Sequence, residues 1–284
     1  MAEITIVEVS PRDGFQSIPF FIETEKKIEY INSLSECGFK KIEVTSFVKS
    51  DALPQFSDAE IVSKKIKRYP SVVYSAFVPN FTGAKRAIDC GINELSVFVS
   101  ASEIFSLKNI NMDIAKSLKE IERVSSVAYN SNIKLRVNIA MAFKCPFEGY
   151  IPRKRVAKLA KISLNIGATE VCICDTSGEA KPEEIINLIK DLRQEINDIP
   201  FGFHFHVKSN KNAENILAAM SQGCSIFDSS LGDIGGCPNT PSFLKNISTL
   251  ELINFCSANK IKTNILSDKL TKSIDILKAI VTSR

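Results

Sequence analysis

The two histidines of the chain stand two residues apart, in the segment Phe203-His204-Phe205-His206. This segment is aromatic and apolar, which predicts a strand, and residues i and i+2 of a strand point to the same side. Both imidazoles therefore face one point, where they can bind a single metal ion. The alternative is a chance pair on a strand, with one histidine buried in the core, and the spacing alone leaves both open.

A carboxylate and a guanidinium are adjacent in Ser10–Gly14, directly after the strand-like pattern ITIVEV. Asp13 can supply an oxygen ligand to the ion at the two histidines, and Arg12 places a permanent positive charge beside it. Two histidines and one carboxylate form a recurrent divalent-cation site whose other positions stay open to substrate and water. Taken alone, the segment is more simply an ordinary Asp-Gly turn.

Three further groups are candidates for chemistry. In the loop Gly235-Gly236-Cys237-Pro238, a thiol can donate or accept a proton as the loop closes, or it is simply a free cysteine in a turn. Asn246, nine residues after Cys237, can offer a side-chain oxygen as a fourth ligand, although most isolated asparagines have no such role. Glu43 and Asp175 belong to a ring of polar groups at the predicted strand ends. Each is either an acid that acts or hydrogen-bonds in the site, or simply a solvated carboxylate.

The elements that must position these residues are eight β-rich runs that alternate with segments of helical apolar spacing. The predicted strands are Ile4–Val9, Lys41–Phe47, Val72–Val78, Glu94–Ser100, Leu135–Met141, Glu170–Cys174, Phe201–Val207 and Ser225–Ser229. Eight strand–helix units in about 250 residues predict an α/β fold, the closed (β/α)8 TIM barrel, whose active sites lie at the carboxyl ends of the strands. An open, doubly wound sheet is the alternative, but no glycine-rich dinucleotide or P-loop motif follows any strand.

Local signals mark the ends of several helices. Ser57 and Glu60 form a capping-box pattern, and Pro182 opens a segment with helical apolar rhythm. A glycine precedes each of four strands, where a helix end favours positive φ, at Gly38, Gly91, Gly167 and Gly223. No linker composition interrupts the chain. We expect one catalytic domain over 1–284, with the barrel at about 1–255 and a helical C-terminal extension at about 256–284.

The formal charge of +4 is concentrated near the end of the chain. Residues 257–284 contain six basic and two acidic residues, which equals the whole surplus, so the first 256 residues are neutral overall. The basic residues are more simply the solvated face of a terminal helix than a nucleic-acid surface. The composition therefore predicts no nucleic-acid partner.

The cysteine pattern and the apolar pattern indicate a cytoplasmic protein. Eight cysteines are spread over the chain, and the acidic N-terminus MAEITIVEVSPRD lacks a secretory signal. Reduced thiols are the better interpretation of such a pattern. No apolar stretch reaches the ~18 residues that a membrane span needs, so no membrane partner is expected.

In combination these motifs resemble the 3-hydroxy-3-methylglutaryl-CoA lyases, within the wider group of metal-dependent barrel lyases and acyl-CoA condensing enzymes. The resemblance covers nearly the whole chain in the family's order, and Asn246 matches the family's late asparagine. The segments that carry it are EVSPRDGFQ (8–16), IEVTSFVKSDALPQFSDAE (42–60), SVFVSASEIFSLKNIN (96–111), CPFEGYI (145–151), CDTSG (174–178), HFH (204–206) and DSSLGDIGGCPNTP (228–241).

The resemblance implies a divalent cation, Mg²⁺ or Mn²⁺, bound by Asp13, His204, His206 and Asn246. It implies that Arg12 steadies an enolate oxygen, that Cys237 is the catalytic thiol, and that Glu43 helps to hold the arginine and the metal ligands. Arg12 and Gln16, both within EVSPRDGFQ, are the expected substrate-binding residues, and Asp175 is expected among the catalytic ones.

The implied reaction is a retro-aldol cleavage of 3-hydroxy-3-methylglutaryl-CoA to acetyl-CoA and acetoacetate. The resemblance also implies a homodimer. The chain departs from the family pattern at Ser17–Phe21, which is apolar, at Val99, where added bulk is expected to narrow the pocket, and at Val207–Asn210. A second interpretation is therefore a related barrel enzyme that cleaves or condenses another hydroxyacyl-CoA or hydroxy acid. A third is a binding protein that keeps the fold without the chemistry.

Overall fold

The computed structural model describes residues 2–196, 200–207, 212–236 and 244–282. All eight predicted strands are present, each within one residue of its predicted bounds, and three short strands (β6, β7 and β11) were not predicted. The strands are β1 Thr5–Glu8, β2 Lys41–Ser46, β3 Val73–Phe77, β4 Glu94–Ser100, β5 Lys134–Ala140, β6 Lys144–Cys145, β7 Gly149–Tyr150, β8 Glu170–Asp175, β9 Phe201–Val207, β10 Ile226–Ser229 and β11 Lys245–Asn246.

The hydrogen-bonded order of the strands closes on itself. It runs β10-β1-β2-β3-β4-β5-β8-β9-β11, and β9 also pairs with β10. The pairs β1–β2, β2–β3, β5–β8 and β8–β9 are parallel, which brings the carboxyl ends of these strands to one edge. The predicted (β/α)8 TIM barrel is therefore confirmed.

The helices alternate with the strands, as the apolar spacing predicts. They are α1 Thr24–Ser35, α2 Ala59–Lys65, α3 Phe81–Asp89, α4 Glu103–Ile110, α5 Ile114–Asn130, α6 Arg153–Ile166, α7 Pro182–Glu195, α8 Asn212–Ser221, α9 Thr249–Ala258 and α10 Ser267–Thr282. The C-terminal helix α10 is present, and in the described part of the chain no helix has the length and apolarity to cross a membrane.

One predicted helix start is right and one is wrong. Pro182 is the first residue of α7, where its fixed φ and missing N–H are well tolerated. The capping box at Ser57 is not formed, because Ser57 already has helical φ and ψ at the end of a 3₁₀ turn, and α2 begins two residues later. The Asp58 carboxylate before α2 accepts hydrogen bonds from Thr24 and Lys27 instead of capping the helix.

Contacts group the chain into two compact units, each with its own buried ion pair. The first unit contains Met1–Leu95, Phe227–Gly235 and Asn246–Arg284, and the second contains Ser96–Ile226 and Gly236–Lys245. In the first unit Lys41 Nζ lies 2.8 Å from Glu94, and in the second Arg136 Nε lies 2.8 Å from Glu170. These pairs stand at or near the amino ends of their strands.

The seven cysteines in the described part of the chain are all free thiols, and none forms a disulfide.

All four glycines predicted at helix ends have positive φ. Gly38 is the most constrained, with φ at +89°, because a Cβ there would overlap the backbone carbonyl oxygen of Asn264. Leu266 N–H donates to the Cys37 carbonyl in the same place, so the end of α1 is held against the segment that leads into α10.

Substitution of Gly38 by alanine is therefore expected to destabilise the protein more than an alanine at an open glycine. Positive φ costs an L-residue about 1–2 kcal/mol, and at Gly38 the overlap with Asn264 adds to this. Gly149 is the matched control, because its φ is +74° and nothing lies within 4 Å of the added Cβ. Urea unfolding should give a loss for Gly38→Ala at least twice that for Gly149→Ala, and equal losses would contradict the packing described here.

Candidate metal centre

The chain leaves β1 in a single π-helical turn, Ser10–Gly14, that carries Arg12 and Asp13. The Val9 carbonyl accepts the backbone N–H groups of Arg12, Asp13 and Gly14, at 3.1, 2.7 and 3.3 Å. Pro11 suits the start of this turn because it has no N–H to satisfy. Turns of this kind are rare and concentrate at functional sites, and this one holds the Asp13 side chain in a buried position.

His204 and His206 lie on the same side of β9, as predicted, with ring centroids 5.0 Å apart. One ligand atom from each of Asp13, His204 and His206 lies within 4.8 Å of the other two, so these side chains converge on one point. Nδ1 of His206 lies 3.0 Å from the Thr176 carbonyl oxygen. Because a carbonyl only accepts, Nδ1 carries a hydrogen, and in the neutral ring this leaves Nε2 as the ligand atom, which is the tautomer a metal ligand needs.

Asn246 completes the predicted ligand set. Its Nδ2 donates to Asp13 Oδ2 at 2.6 Å and to the Ile234 carbonyl at 3.2 Å. Its Oδ1 is buried and accepts no hydrogen bond from the described residues, and a buried acceptor without a donor costs about 1–3 kcal/mol. A cation beside Asp13 would remove this cost. Two imidazoles, one carboxylate and one amide oxygen suit a divalent cation.

The backbone at Gly235 lies directly over Asp13 and Asn246. A Cβ at this position would overlap Asn246 Nδ2 and approach Asp13 Oδ2 to 2.9 Å, and φ is +106°. Only glycine fits both the space and the conformation. The glycine loop predicted from the sequence therefore begins against the ligand side chains.

Arg12 is held on three sides. Its Nη1 donates to Asp13 Oδ1 at 2.5 Å, and its Nε lies 3.6 Å from Glu43 Oε2. Its Cζ stands 4.4 Å from the centre of the Phe77 ring, a cation–π contact. Glu43, on β2, is buried beside it. The arrangement fixes a positive charge next to the carboxylate of Asp13, a candidate metal ligand.

Asp175 is the last residue of β8, and its carboxylate faces the loop that follows. Oδ1 accepts the Glu179 N–H at 3.1 Å and Oδ2 accepts the Ala180 N–H at 2.9 Å. Burial raises the pKa of Asp175 to about 6, against the effect of these hydrogen bonds. The same loop contains Thr176, whose carbonyl holds His206, so Asp175 organises the support of a candidate ligand.

The remaining predicted site residues are less informative. Gln16 is half-buried three residues after Asp13. Cys237 lies outside the described residues, as do Lys208, Ser209 and Asn210 of the segment that departs from the family pattern.

The departures within the described residues differ in character. Val99 is fully buried, whereas its neighbour Phe98 retains exposed surface. Strand alternation puts Phe98 on the side of Ser96, which accepts a hydrogen bond from Asn138 of β5. Phe21 is 49% exposed, with Lys27 Nζ 4.3 Å above its ring. The expectation that Val99 narrows a pocket stays a prediction.

Two groups near the centre were missed from the sequence. Glu8 on β1 is fully buried and hydrogen-bonds to the turn that carries Asp13. Its position among the apolar residues Ile6, Val7 and Val9 could have indicated a special role, because a strand that is buried on both faces rarely contains a charged residue. Nothing in the sequence indicates the role of the Thr176 carbonyl, since every residue has a backbone carbonyl.

The sequence profile of the HMGL-like family matches residues 3–275 of the chain. The chain belongs to the HMGL-like family. The predicted resemblance to 3-hydroxy-3-methylglutaryl-CoA lyases is thereby confirmed at the level of the family. This HMGL-like chain is 37% identical over 268 residues to "Hydroxymethylglutaryl-CoA lyase YngG" of Bacillus subtilis, covering 94% of this chain and 90% of that protein.

Other relatives carry the same activity in their names. The chain is 36% identical over 274 residues to the cytoplasmic 3-hydroxy-3-methylglutaryl-CoA lyase of Rattus norvegicus, covering 96% of this chain and 80% of that protein. It is 33% identical over 274 residues to the mitochondrial lyase of the same organism, covering 96% and 84%. HMGL-like relatives therefore occur in more than one compartment.

Solved structures of HMGL-like proteins superpose over almost the whole chain. The HMG-CoA lyase of Brucella melitensis aligns with a TM-score of 0.94 at 31% identity, covering 100% of both chains. An HMG-CoA lyase of Acinetobacter baumannii, solved in complex with coenzyme A and 3-methylmalate, aligns with a TM-score of 0.92 at 35% identity, covering 98% of this chain and 91% of that chain.

The raised pKa of Asp175 predicts a specific pH dependence of stability. Since burial raises this pKa from 3.8 to about 6, the folded chain binds the proton more tightly than the unfolded chain. The free energy of unfolding should fall as pH rises from about 4 to about 6, by at most about 3 kcal/mol from this group. Asp175→Asn does not titrate and should lack this fall.

Urea unfolding of both proteins at several pH values checks this expectation. Asp275→Asn, at an exposed position of α10, is the control for the loss of a carboxylate. The difference between Asp175→Asn and wild type should change across the window, whereas parallel curves would show that Asp175 has an ordinary pKa.

Proposed function

We propose that the chain is a divalent-metal-dependent carbon–carbon lyase that cleaves 3-hydroxy-3-methylglutaryl-CoA to acetyl-CoA and acetoacetate. The observation that carries the proposal is the convergence of Asp13, His204 and His206 on one point, with Arg12 beside Asp13. Membership of the HMGL-like family and the names of the relatives support the choice of substrate. The acyl-CoA substrate is the principal partner in this proposal.

The proposed cation is Mg²⁺ or Mn²⁺, held by Asp13, His204, His206 and Asn246. When bound, it would orient the hydroxyl and carboxylate oxygens of the substrate and lower the pKa of the hydroxyl. The buried Asn246 Oδ1 and the Nε2 lone pair of His206 suit such an ion. Asp175 acts as a positioning residue in this site, because it organises the loop whose carbonyl orients His206.

Cleavage places negative charge on the thioester, and Arg12 is the group that stabilises it. The tertiary hydroxyl passes its proton through His204 or His206 to water as the C2–C3 bond breaks. C3 becomes the ketone of acetoacetate, and the electron pair of the broken bond forms the enolate of acetyl-CoA. Arg12 donates to the enolate oxygen, a contribution on the order of 3 kcal/mol for a preorganised donor. Glu43 and Phe77 keep its guanidinium in place.

The last step needs a proton at C2, and we assign the role of proton donor to Cys237. A thiol can donate a proton to a carbanion, and the loop that contains Cys237 begins at Gly235, against Asp13 and Asn246. Gln16, three residues after Asp13, is proposed to bind substrate together with Arg12. The coenzyme A in the Acinetobacter baumannii structure supports an acyl-CoA ligand.

The wider organisation follows from the same proposal. Residues 1–284 act as one catalytic domain, with the barrel at about 1–255 and the helical extension at about 256–284. The protein works in the cytoplasm, which the name of one Rattus norvegicus relative supports, and it assembles as a homodimer without nucleic acid or membrane.

A second candidate is a lyase for another hydroxyacyl-CoA or hydroxy acid. The apolar segment Ser17–Phe21, in which Phe21 is 49% exposed, and Val99 favour it, because both depart from the family pattern. Assays with several hydroxyacyl-CoA thioesters and free hydroxy acids separate the two candidates.

The central assay is cleavage of 3-hydroxy-3-methylglutaryl-CoA in the presence of Mg²⁺, with acetoacetate measured as product. Cys237→Ala should lower kcat at least a hundredfold by removing the proton donor, and His204→Ala should abolish activity by removing a ligand. Cys224→Ala is the control, because this buried thiol bonds only to backbone carbonyls in the described contacts. Full activity in Cys237→Ala or His204→Ala would refute the mechanism.

The cation–π contact of Arg12 gives a second expectation. Phe77→Leu keeps an apolar side chain but removes the ring, so kcat/KM should fall three- to thirtyfold, whereas Phe77→Tyr should stay near wild type. Phe47→Leu is the matched control, since the Phe47 ring makes its cation–π contact with a different arginine, Arg86, whose Cζ lies 5.6 Å from the ring centre. An equal loss in both leucine variants would assign the effect to general packing.

A further inference from the structure

Glu8 is a fully buried carboxylate that the mechanism above does not use. It is the last residue of β1, and its Oε1 accepts the backbone N–H groups of Ser10 at 2.9 Å and Leu231 at 3.0 Å. Its Oε2 accepts the hydroxyl of Thr249 at 2.8 Å. Both oxygens therefore act as acceptors for groups on three separate segments of the chain.

Each of these three segments leads to the metal ligands. Ser10 begins the turn that carries Arg12 and Asp13. Leu231 begins the segment in which the Ile234 carbonyl accepts from Asn246 and Gly235 covers Asp13. Thr249 follows Asn246 by three residues. Glu8 thus joins the segments that carry the two partners of the Asp13–Asn246 hydrogen bond.

Glu8 accepts backbone N–H groups that have no acceptor on a neighbouring strand. The chain turns out of the sheet after β1 and after β10, so the N–H groups of Ser10 and Leu231 find their partner in this side chain. The Thr249 hydroxyl uses its hydrogen on Glu8, and therefore accepts from Ser229 Oγ at 2.8 Å. Ser10 Oγ lies 2.7 Å from Tyr30 Oη, which extends the network to α1.

We propose that Glu8 is a positioning residue for the metal centre, which fixes the distance between Asp13 and Asn246 by joining the three segments that carry them. This inference rests on the proposed metal site. Its described hydrogen bonds reach the backbone of two segments and the Thr249 hydroxyl of the third, so it acts on the candidate ligands through the segments that carry them. Loss of its acceptors should loosen the ligand geometry while the barrel remains folded.

The test is Mn²⁺ binding by the full chain, measured as a dissociation constant at a temperature where circular dichroism shows the protein folded. Glu8→Met has nearly the same shape but no acceptor, and it should raise the dissociation constant at least tenfold. Glu8→Gln keeps one acceptor for the two N–H groups, and Thr249 can reverse its hydroxyl to accept from the new amide. This variant should stay within threefold of wild type.

Two controls separate positioning from stability. Gly38→Ala destabilises the chain at the end of α1, and Glu94→Gln removes a carboxylate buried as deeply as Glu8 but paired with Lys41. Both should bind Mn²⁺ with the wild-type dissociation constant. Hydrogen exchange at residues 9–14 and 230–235 should accelerate in Glu8→Met and not in these controls.

A folded Glu8→Met protein with the wild-type dissociation constant would overturn the inference. If Glu8→Met does not fold, Thr249→Val decides, since it removes only the donor to Oε2; a two- to fivefold rise supports the inference and an unchanged constant overturns it. Failure of wild type to bind Mn²⁺ would instead overturn the proposed function, and the role of Glu8 with it.

Discussion

The structure of the candidate centre depends on one short hydrogen bond, 2.6 Å long, from Asn246 Nδ2 to Asp13 Oδ2. It joins a turn after the first strand to a strand more than two hundred residues later. Because the amide donates through Nδ2, its Oδ1 lies on the other side of the group, buried and without a donor among the described residues. The bond thereby holds Asn246 against Asp13, the carboxylate that converges with His204 and His206.

The charges of the buried side chains around Asp13 do not balance. Arg12 contacts both Asp13 and Glu43, so one guanidinium faces two carboxylates and a net charge of −1 is left. A bound cation would add positive charge beside Asp13 and leave Arg12 to act on the substrate. Aromatic contact with Phe77 then matters more, because it holds the guanidinium without consuming its hydrogen-bond donors.

The sequence predicted the parts of this structure that depend on local pattern. Short β-rich runs marked the eight strands, and the spacing of His204 and His206 placed both rings on one side of β9. Contacts between distant segments had no such pattern. The hydrogen bond from His206 to the Thr176 carbonyl, the brief strand at Asn246 and the partners of Glu8 arise only when the barrel closes. Ser57 shows the opposite error, in which a local pattern predicted a feature that is not formed. The capping-box pattern at Ser57 and Glu60 fails because Ser57 has helical φ and ψ at the end of a preceding 3₁₀ turn.

Pulsed electron paramagnetic resonance of the Mn²⁺-loaded protein tests the central claim most directly, because it detects nitrogen nuclei bound to the metal. One Mn²⁺ per chain, coupled to two imidazole nitrogens that disappear one at a time in His204→Ala and His206→Ala, is the expected result. Mn²⁺ that binds without nitrogen coupling, or with coupling unchanged in both variants, would contradict the assignment of this site.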